Sequence, residues 1–228
     1  MNNTLASSII SLYFLLTPLT LYPQSTHWHI ESEVEGARVI LRHDTLDITA
    51  PKGLSLWYDQ PLQAPCTIDY HATVIMQGGP HDRLSDLNCF WMATHNDGSP
   101  LTGIPQRQGR FLESYRLKCY YLGYGGNYNT TTRFRRYNAD STAVTQPERR
   151  PKIIKEYTDS QHLLQPNHWY HIHIDVSREG RVRYFIDDEL IVDFIDPQPL
   201  LMGWFAFRTT SSHTRLTNFT VSTTNPQP

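Results

Sequence analysis

From residue 27 onward, apolar and polar positions alternate in short runs separated by turn-forming residues. Long stretches with helical periodicity are absent, so the pattern predicts an all-β protein. The C-terminal part shows it most plainly. Ile172, Ile174 and Val176 alternate with His171, His173 and Asp175, giving one apolar and one polar strand face. Ser177-Arg178-Glu179-Gly180 then turns the chain into Val182, Tyr184 and Ile186. Asp187-Asp188 makes a tight turn into Leu190 and Val192, completing a three-stranded antiparallel meander. The same reading predicts strands over His27–Glu35, Val39–Leu41, Asp47–Thr49, Leu54–Tyr58, Thr67–Met76, Asn88–Thr94, Tyr115–Leu122, Thr131–Tyr137, Trp169–Val176, Arg181–Ile186, Glu189–Ile195, Gly203–Thr209 and Leu216–Thr223. Two polar, Pro- and Gly-rich segments, Asn96–Arg110 and Asn138–Gln165, read as long loops, which in a compact domain often carry function.

Ahead of this region, Ile9–Leu21 is an apolar run of signal-peptide length, interrupted by Pro18 and too short to span a membrane comfortably. It predicts removal of residues 1–25 and a single β-sandwich over residues 26–224. That product is expected in the periplasm or outside the cell, unattached to membrane and monomeric. A formal net charge of −2 over 228 residues argues against nucleic acid as a partner, which normally demands a basic excess. Only 18% of residues are charged, while there are 13 Tyr, 5 Trp and 11 His. That balance suits stacking on sugar rings and hydrogen bonding to hydroxyls, and it also suits an ordinary β-sandwich. Cys66, Cys89 and Cys119 lie among apolar neighbours without metal-binding spacing. Buried free thiols are expected, with one disulfide as the alternative in an exported protein.

The densest chemistry lies in CYYLGYGGNYNTTTRFRRY, Cys119–Tyr137, which reads as two strands around a Gly125-Gly126 turn. Strand alternation puts Arg133, Arg135 and Tyr137 on one face, with Phe134 and Arg136 on the other. Two guanidiniums and a phenol suit a hydroxyl-rich ligand carrying carboxylates. The alternative is a solvated basic strand. In HDRLSDLNCFWMA, Asp86 and Asn88 share a face with Phe90, while Leu87, Cys89 and Trp91 take the other. The pair either lines a groove, or Asp82 and Asp86 simply pair with Arg83 and cap turns.

The segments HWYHIHIDVSREGRVRYFIDDELIVDF, GWFAFRTT and RLTNFTV, in that order, resemble concanavalin-like (laminin-G-like) jelly rolls, β-sandwiches of two curved antiparallel sheets. DRLSDLNCFWMA, YYLGYGGNYNTTTRFRRY and GWFAFRTT further resemble a Bacteroidetes family of such proteins found among polysaccharide-degrading enzymes, over roughly Trp28–Val221. The resemblance implies a carbohydrate setting and adds Trp204 and Arg208 of the third motif to the substrate-contacting residues. Fold alone cannot separate lyases, glycoside hydrolases and binding modules.

A two-carboxylate hydrolase would need a pair of acids. Asp187, Asp188 and Glu189 sit in a turn, Asp193 and Asp196 at a strand end, and the motifs above hold only Asp82 and Asp86. β-Elimination beside a uronic acid fits better. It needs a group to neutralise the carboxylate, a base for the C5 proton and an acid for the leaving oxygen. The expected catalytic set is Tyr124, Arg135, His95 and His81. Asp86, Asn88, Trp91, Asn127, Arg133, Tyr137, Trp204 and Arg208 are expected to bind the substrate, an acidic polysaccharide or oligosaccharide. The alternatives are a non-catalytic carbohydrate-binding module and a glycoside hydrolase. No cofactor is expected. A structural calcium, common in jelly rolls, is left open, and His171/His173 read as an outward polar face rather than metal ligands.

Overall fold

Strand alternation dominates the computed structural model, which describes residues 27–99, 101 and 107–223. Its strands are β1 (Trp28–Ser32), β2 (Arg38–Arg42), β3 (Thr45–Tyr58), β4 (Leu62–Gln63), β5 (Cys66–Val74), β6 (Asn88–Thr94), β7 (Lys118–Gly125), β8 (Thr131–Asn138), β9 (Ile153–Tyr157), β10 (Tyr170–Val176), β11 (Arg181–Ile186), β12 (Glu189–Ile195) and β13 (Met202–Thr223). All pairings between them are antiparallel. The expected all-β sandwich is therefore present. The proposed leader Ile9–Leu21 lies outside the described residues.

Two long strands belong to both sheets. The early part of β13 pairs with β6 and with Gly53–Trp57 of β3, and its later part pairs with β5 and with Leu46–Ala50 of β3. The register breaks between Thr210 and Ser212, where Ser211 takes a left-handed φ of 46°. One sheet thus runs β1–β3–β13–β6–β7–β8–β9, the other β2–β3–β13–β5–β10–β11–β12. Each long strand had been expected as two short ones, because the bend residues Pro51-Lys52-Gly53 and Ser211-Ser212 carry turn chemistry without ending the pairing.

The inner faces of the two sheets meet across a single apolar core. Trp91 of β6 lies 5.8 Å, ring centre to ring centre, from Tyr184 of β11, and Phe205 of β13 lies 5.6 Å from Tyr70 of β5. Leu56, Ile68, Ile172 and Ile174 fill the same layer. A second apolar cluster covers the outer face of the first sheet. Trp57, Phe90, Tyr121, Tyr137, Trp204 and Ala206 pack there beneath a 3-10 turn, Phe111–Arg116. That turn takes the residues with which strand β7 was expected to begin. The expected loop Asn138–Gln165 holds β9, an edge strand on β8. Its adjacent Ile153 and Ile154 are both exposed, so no alternation announces it.

All three cysteines are free and buried. Burial pushes the Cys89 thiol up to about 12 and the Cys66 thiol up to about 11, and raises Cys119 as well. Thiolate is the reactive form, so these groups are inert while the core is closed. The native protein should release no colour with a thiol-exchange reagent over minutes, and the denatured chain should titrate three thiols. A fast-reacting thiol in the native state would contradict this core.

Candidate functional site

Antiparallel pairing builds the site as two cross-strand rows on the outer face of the first sheet. One row runs Ser55–Arg208–Asn88, then Gly123–Arg133–Glu156. The neighbouring row runs Trp57–Ala206–Phe90–Tyr121–Arg135–Ile153. A groove of about 510 Å³ lies over these rows, closed at its sides by Phe111 and Tyr115 of the 3-10 turn and by the β7–β8 connection. Gly123 matters here because a Cβ would stand 2.7 Å from the Tyr121 hydroxyl. Its bare backbone is what lets that phenol lie along the strand.

The groove is strongly basic although the chain carries a net charge of −2. Arg83, Arg133, Arg135, Arg150 and Arg208 line it, against Glu33 and Asp86. Arg83 pairs with Asp86 and donates to the carbonyls of Thr210 (2.6 Å) and Ser211 (3.2 Å). Arg133 pairs with Glu156. Arg135, Arg150 and Arg208 have no ion pair among the described residues. Arg208 is only 4% exposed. One of its nitrogens donates to Ser55 Oγ (3.1 Å) and Gly109 O (2.8 Å), and its guanidinium lies 5.2 Å over the Phe111 ring. Burial lowers its pKa, while Tyr121, Asp86 and other nearby groups oppose the shift. A guanidinium still stays protonated at neutral pH. Beside it, Asn88 donates to Asp86 Oδ1 (3.1 Å), and its own buried Oδ1 has no partner among the described residues. Asp86 sits at a left-handed φ of 67°, which an aspartate tolerates, and lines the groove.

Of the residues expected here, Arg133, Arg135, Asp86, Asn88, Asn127 and Arg208 do converge on the groove. Asp86 also pairs with Arg83, so both readings of that acid hold together. The others do not converge. Tyr124 faces the sandwich core, edge-on to Tyr170, because β7 places only its odd-numbered residues on the groove face. Trp91 is wholly buried in the same core. Tyr137 has the correct face but is covered by Tyr115 and Tyr121, with ring centres 5.3 and 5.6 Å away. Trp204 is buried in the outer cluster, four residues along β13 from Arg208. His95 follows the far end of β6, roughly 20 Å from Asn88 at strand spacing, and burial, then Arg107, keep it below the ordinary imidazole pKa. His81 lies in the turn before Arg83, its carbonyl accepting from Arg83 N (3.0 Å), and does not line the groove.

The residues missed are Tyr121, Tyr115, Tyr128, Arg83 and Arg150. Tyr121 was within reach of the sequence, since a hairpin register that pairs Gly123 with Arg133 pairs Tyr121 with Arg135. Burial, and after it the charge of Asp86, raise the Tyr121 pKa, so the phenol keeps its proton. Glu33 is held as an anion: burial works against it, but Lys52 at 2.8 Å, the Gly53 N–H and Arg208 outweigh that. That environment favours the ionised form of Glu33. Outside the groove, Asp193 is bound by Arg181, and Asp196 by Tyr120 and Arg136. His171 and His173 do face outward, bridged by Asp69. Among the described residues no three His, Cys, Asp or Glu side chains gather as a metal-binding group.

Residues 48–219 match the family described as Domain of unknown function (DUF6250), and the chain belongs to that family. No curated protein matches it. Similar solved structures include a protein of unknown function with a galectin-like fold from Bacillus subtilis, 16% identical, with a TM-score of 0.66, covering 86% of this chain and 89% of that one. The carbohydrate binding module CBM66 from Bacillus subtilis is 12% identical with a TM-score of 0.55, covering 86% and 96%. The exoplasmic/lumenal domain of VIP36, in its Ca2+/Man3GlcNAc-bound form, is 13% identical with a TM-score of 0.58, covering 90% and 87%. These likenesses establish a galectin-like, jelly-roll fold.

The groove wall depends on one buried ion pair. Arg107 donates to Glu31 at 2.6 and 3.3 Å and lies 5.0 Å over the Trp57 ring, which anchors the segment carrying Gly109. Gly109, at φ 62°, presents the carbonyl that Arg208 holds. Glu31→Gln should destabilise the fold by about 3–5 kcal/mol, because it strands a buried charge. Arg116→Ala, which breaks an exposed pair with Glu113, should cost less than about 1 kcal/mol. Equal, small losses in denaturant unfolding would show that the Glu31–Arg107 pair anchors nothing.

Proposed function

We propose that the groove binds a carboxylate-bearing oligosaccharide. Its arginines would hold the acid groups, and Asp86, Asn88 and Asn127 would meet the hydroxyls. Arg208 carries the reading. It is a nearly inaccessible guanidinium that lines the groove and has no carboxylate partner among the described residues. An unpaired buried charge is costly, and an anionic ligand with two acceptor oxygens removes that cost. Arg135 stands ready on the neighbouring row, also without an ion pair. The named fold relatives, a carbohydrate binding module and a domain seen with Man3GlcNAc, support a saccharide as the ligand class. The proposal sets this binding in the periplasm or outside the cell, the expectation raised by Ile9–Leu21.

A second reading, elimination beside a uronate, now rests on Tyr121 in place of Tyr124. In that step a base must take the C5 proton as the C5–H electrons form the C4=C5 bond, the C4–O bond breaks, and Tyr121 protonates the departing oxygen. The place of Tyr121 opposite Arg135 across the β7–β8 pairing is what favours it. No histidine lines the groove to take the C5 proton, which is why binding stands first.

Calorimetric titration with uronate oligosaccharides tests the proposal. Arg135→Ala should weaken binding by about 10- to 100-fold, as expected for charged hydrogen bonds worth 1.5–3 kcal/mol. The variant should remain folded, since Arg135 makes no hydrogen bond among the described side chains. Neutral oligosaccharides binding as well as acidic ones would overturn the reading. Ultraviolet absorbance from an unsaturated uronate, lost in Tyr121→Phe, would put elimination ahead of simple binding.

A further inference from the structure

The connection between β7 and β8 holds a feature that anion binding does not use. Tyr128 at its tip is 78% exposed, the most exposed large apolar side chain among the described residues. Its backbone is left-handed, at φ 59° and ψ 45°, between Asn127 (φ 51°) and Asn129 (φ 58°). Left-handed geometry costs roughly 1–2 kcal/mol per residue; asparagine tolerates it, but a bulky aromatic is an outlier there. The turn is nevertheless pinned. Asn129 exchanges two 2.8 Å hydrogen bonds with the backbone of Leu164, and Thr130 Oγ1 donates to Asn127 O at 2.8 Å.

One face of the Tyr128 ring is covered by the Arg83 guanidinium at 5.0 Å. Arg83 is itself fixed by Asp86 and by the carbonyls of Thr210 and Ser211. At 78% exposure the opposite face of the ring is open. A continuous chain of contacts leads from it to the anion site: Tyr128 to Arg83, Arg83 to Asp86, Asp86 to Asn88, and Asn88 across the sheet to Arg208. Strain of this kind persists where surrounding structure over-determines it, and it clusters at ligand clamps. A tyrosine needed only for the turn would be better replaced by glycine or asparagine.

We infer that Tyr128 is a stacking platform for a sugar ring next to the acidic one, so that the groove selects a chain of two or more sugars over a lone uronic acid. This inference rests on the acidic-saccharide reading above. Arg83 serves as the positioning residue that holds the ring flat against the groove's edge.

The test titrates the full chain with glucuronate, galacturonate and mannuronate and with their oligomers. The wild-type protein should bind a matching oligomer more tightly than its monomer. Tyr128→Ala should remove about 3- to 10-fold of that gain, the range for an aromatic contact, and so weaken oligomer binding more than monomer binding. Tyr128→Phe should keep the gain. Equal affinity of the wild type for monomer and oligomer would overturn the platform, as would a Tyr128→Ala variant that retains the gain or weakens monomer and oligomer alike. Each of those results leaves the anion site standing. Absence of binding to every uronate, monomer or oligomer, would instead overturn the acidic-saccharide reading, and the platform with it.

Discussion

The molecule depends on one strand serving two sheets. β13 runs for 22 residues and passes from the groove-bearing sheet into the opposing sheet at Ser211. Because side chains alternate along it, Phe205 and Phe207 enter the core while Trp204, Ala206 and Arg208 take the outer face. A slip of one residue would drive the Arg208 guanidinium into the apolar layer and take two phenylalanines out of it, so burial itself enforces the register. The pairings of β13 with β3 and β6 then place Ser55 and Asn88 on either side of Arg208. The site is assembled from distant parts of the chain by one set of backbone hydrogen bonds.

Charge gives the groove its character. A protein of nearly balanced composition gathers five arginines around one volume and answers only part of them with carboxylates. The carboxylates present are already committed. Asp86 is tied to Arg83, Glu33 to Lys52, and Glu156 to Arg133. Among the described residues, the groups left without a carboxylate are the guanidiniums of Arg135, Arg150 and Arg208, and the Asn88 side-chain oxygen has no hydrogen-bond partner. They can meet acid groups and hydroxyl donors in the same ligand. Aromatic rings beside them, Phe111, Tyr115 and Tyr121, keep water from screening those charges as it would on an open surface.

Much of this was legible before the structure. Alternation in β10 and β11 assigned Ile172, Ile174, Val182 and Tyr184 to the core, where they lie. It also put Arg133 and Arg135 together, with Asp86 beside Asn88. What alternation could not show is how much covers a face. Tyr137 shares its face with Arg135, yet the Phe111–Arg116 turn and its aromatic neighbours close over it. Tyr124 and Trp91 were chosen for their chemical type, and the parity of their own strands argued against both. Arg83, Arg150 and Tyr128 reach the groove from turns and loops, where no periodicity marks a side chain's direction. β9 escaped notice because an edge strand with two exposed isoleucines has no buried face to reveal it.

A crystal structure of the protein with a uronate oligosaccharide bound addresses the central claim most directly. The account predicts an acid group of the sugar about 3 Å from the guanidiniums of Arg208 and Arg135, with a hydroxyl donating to Asn88 Oδ1. It would be contradicted by a sugar lodged elsewhere, such as on the polar outer face around His171 and His173. A sugar in the groove with its acid groups turned to solvent would contradict it equally.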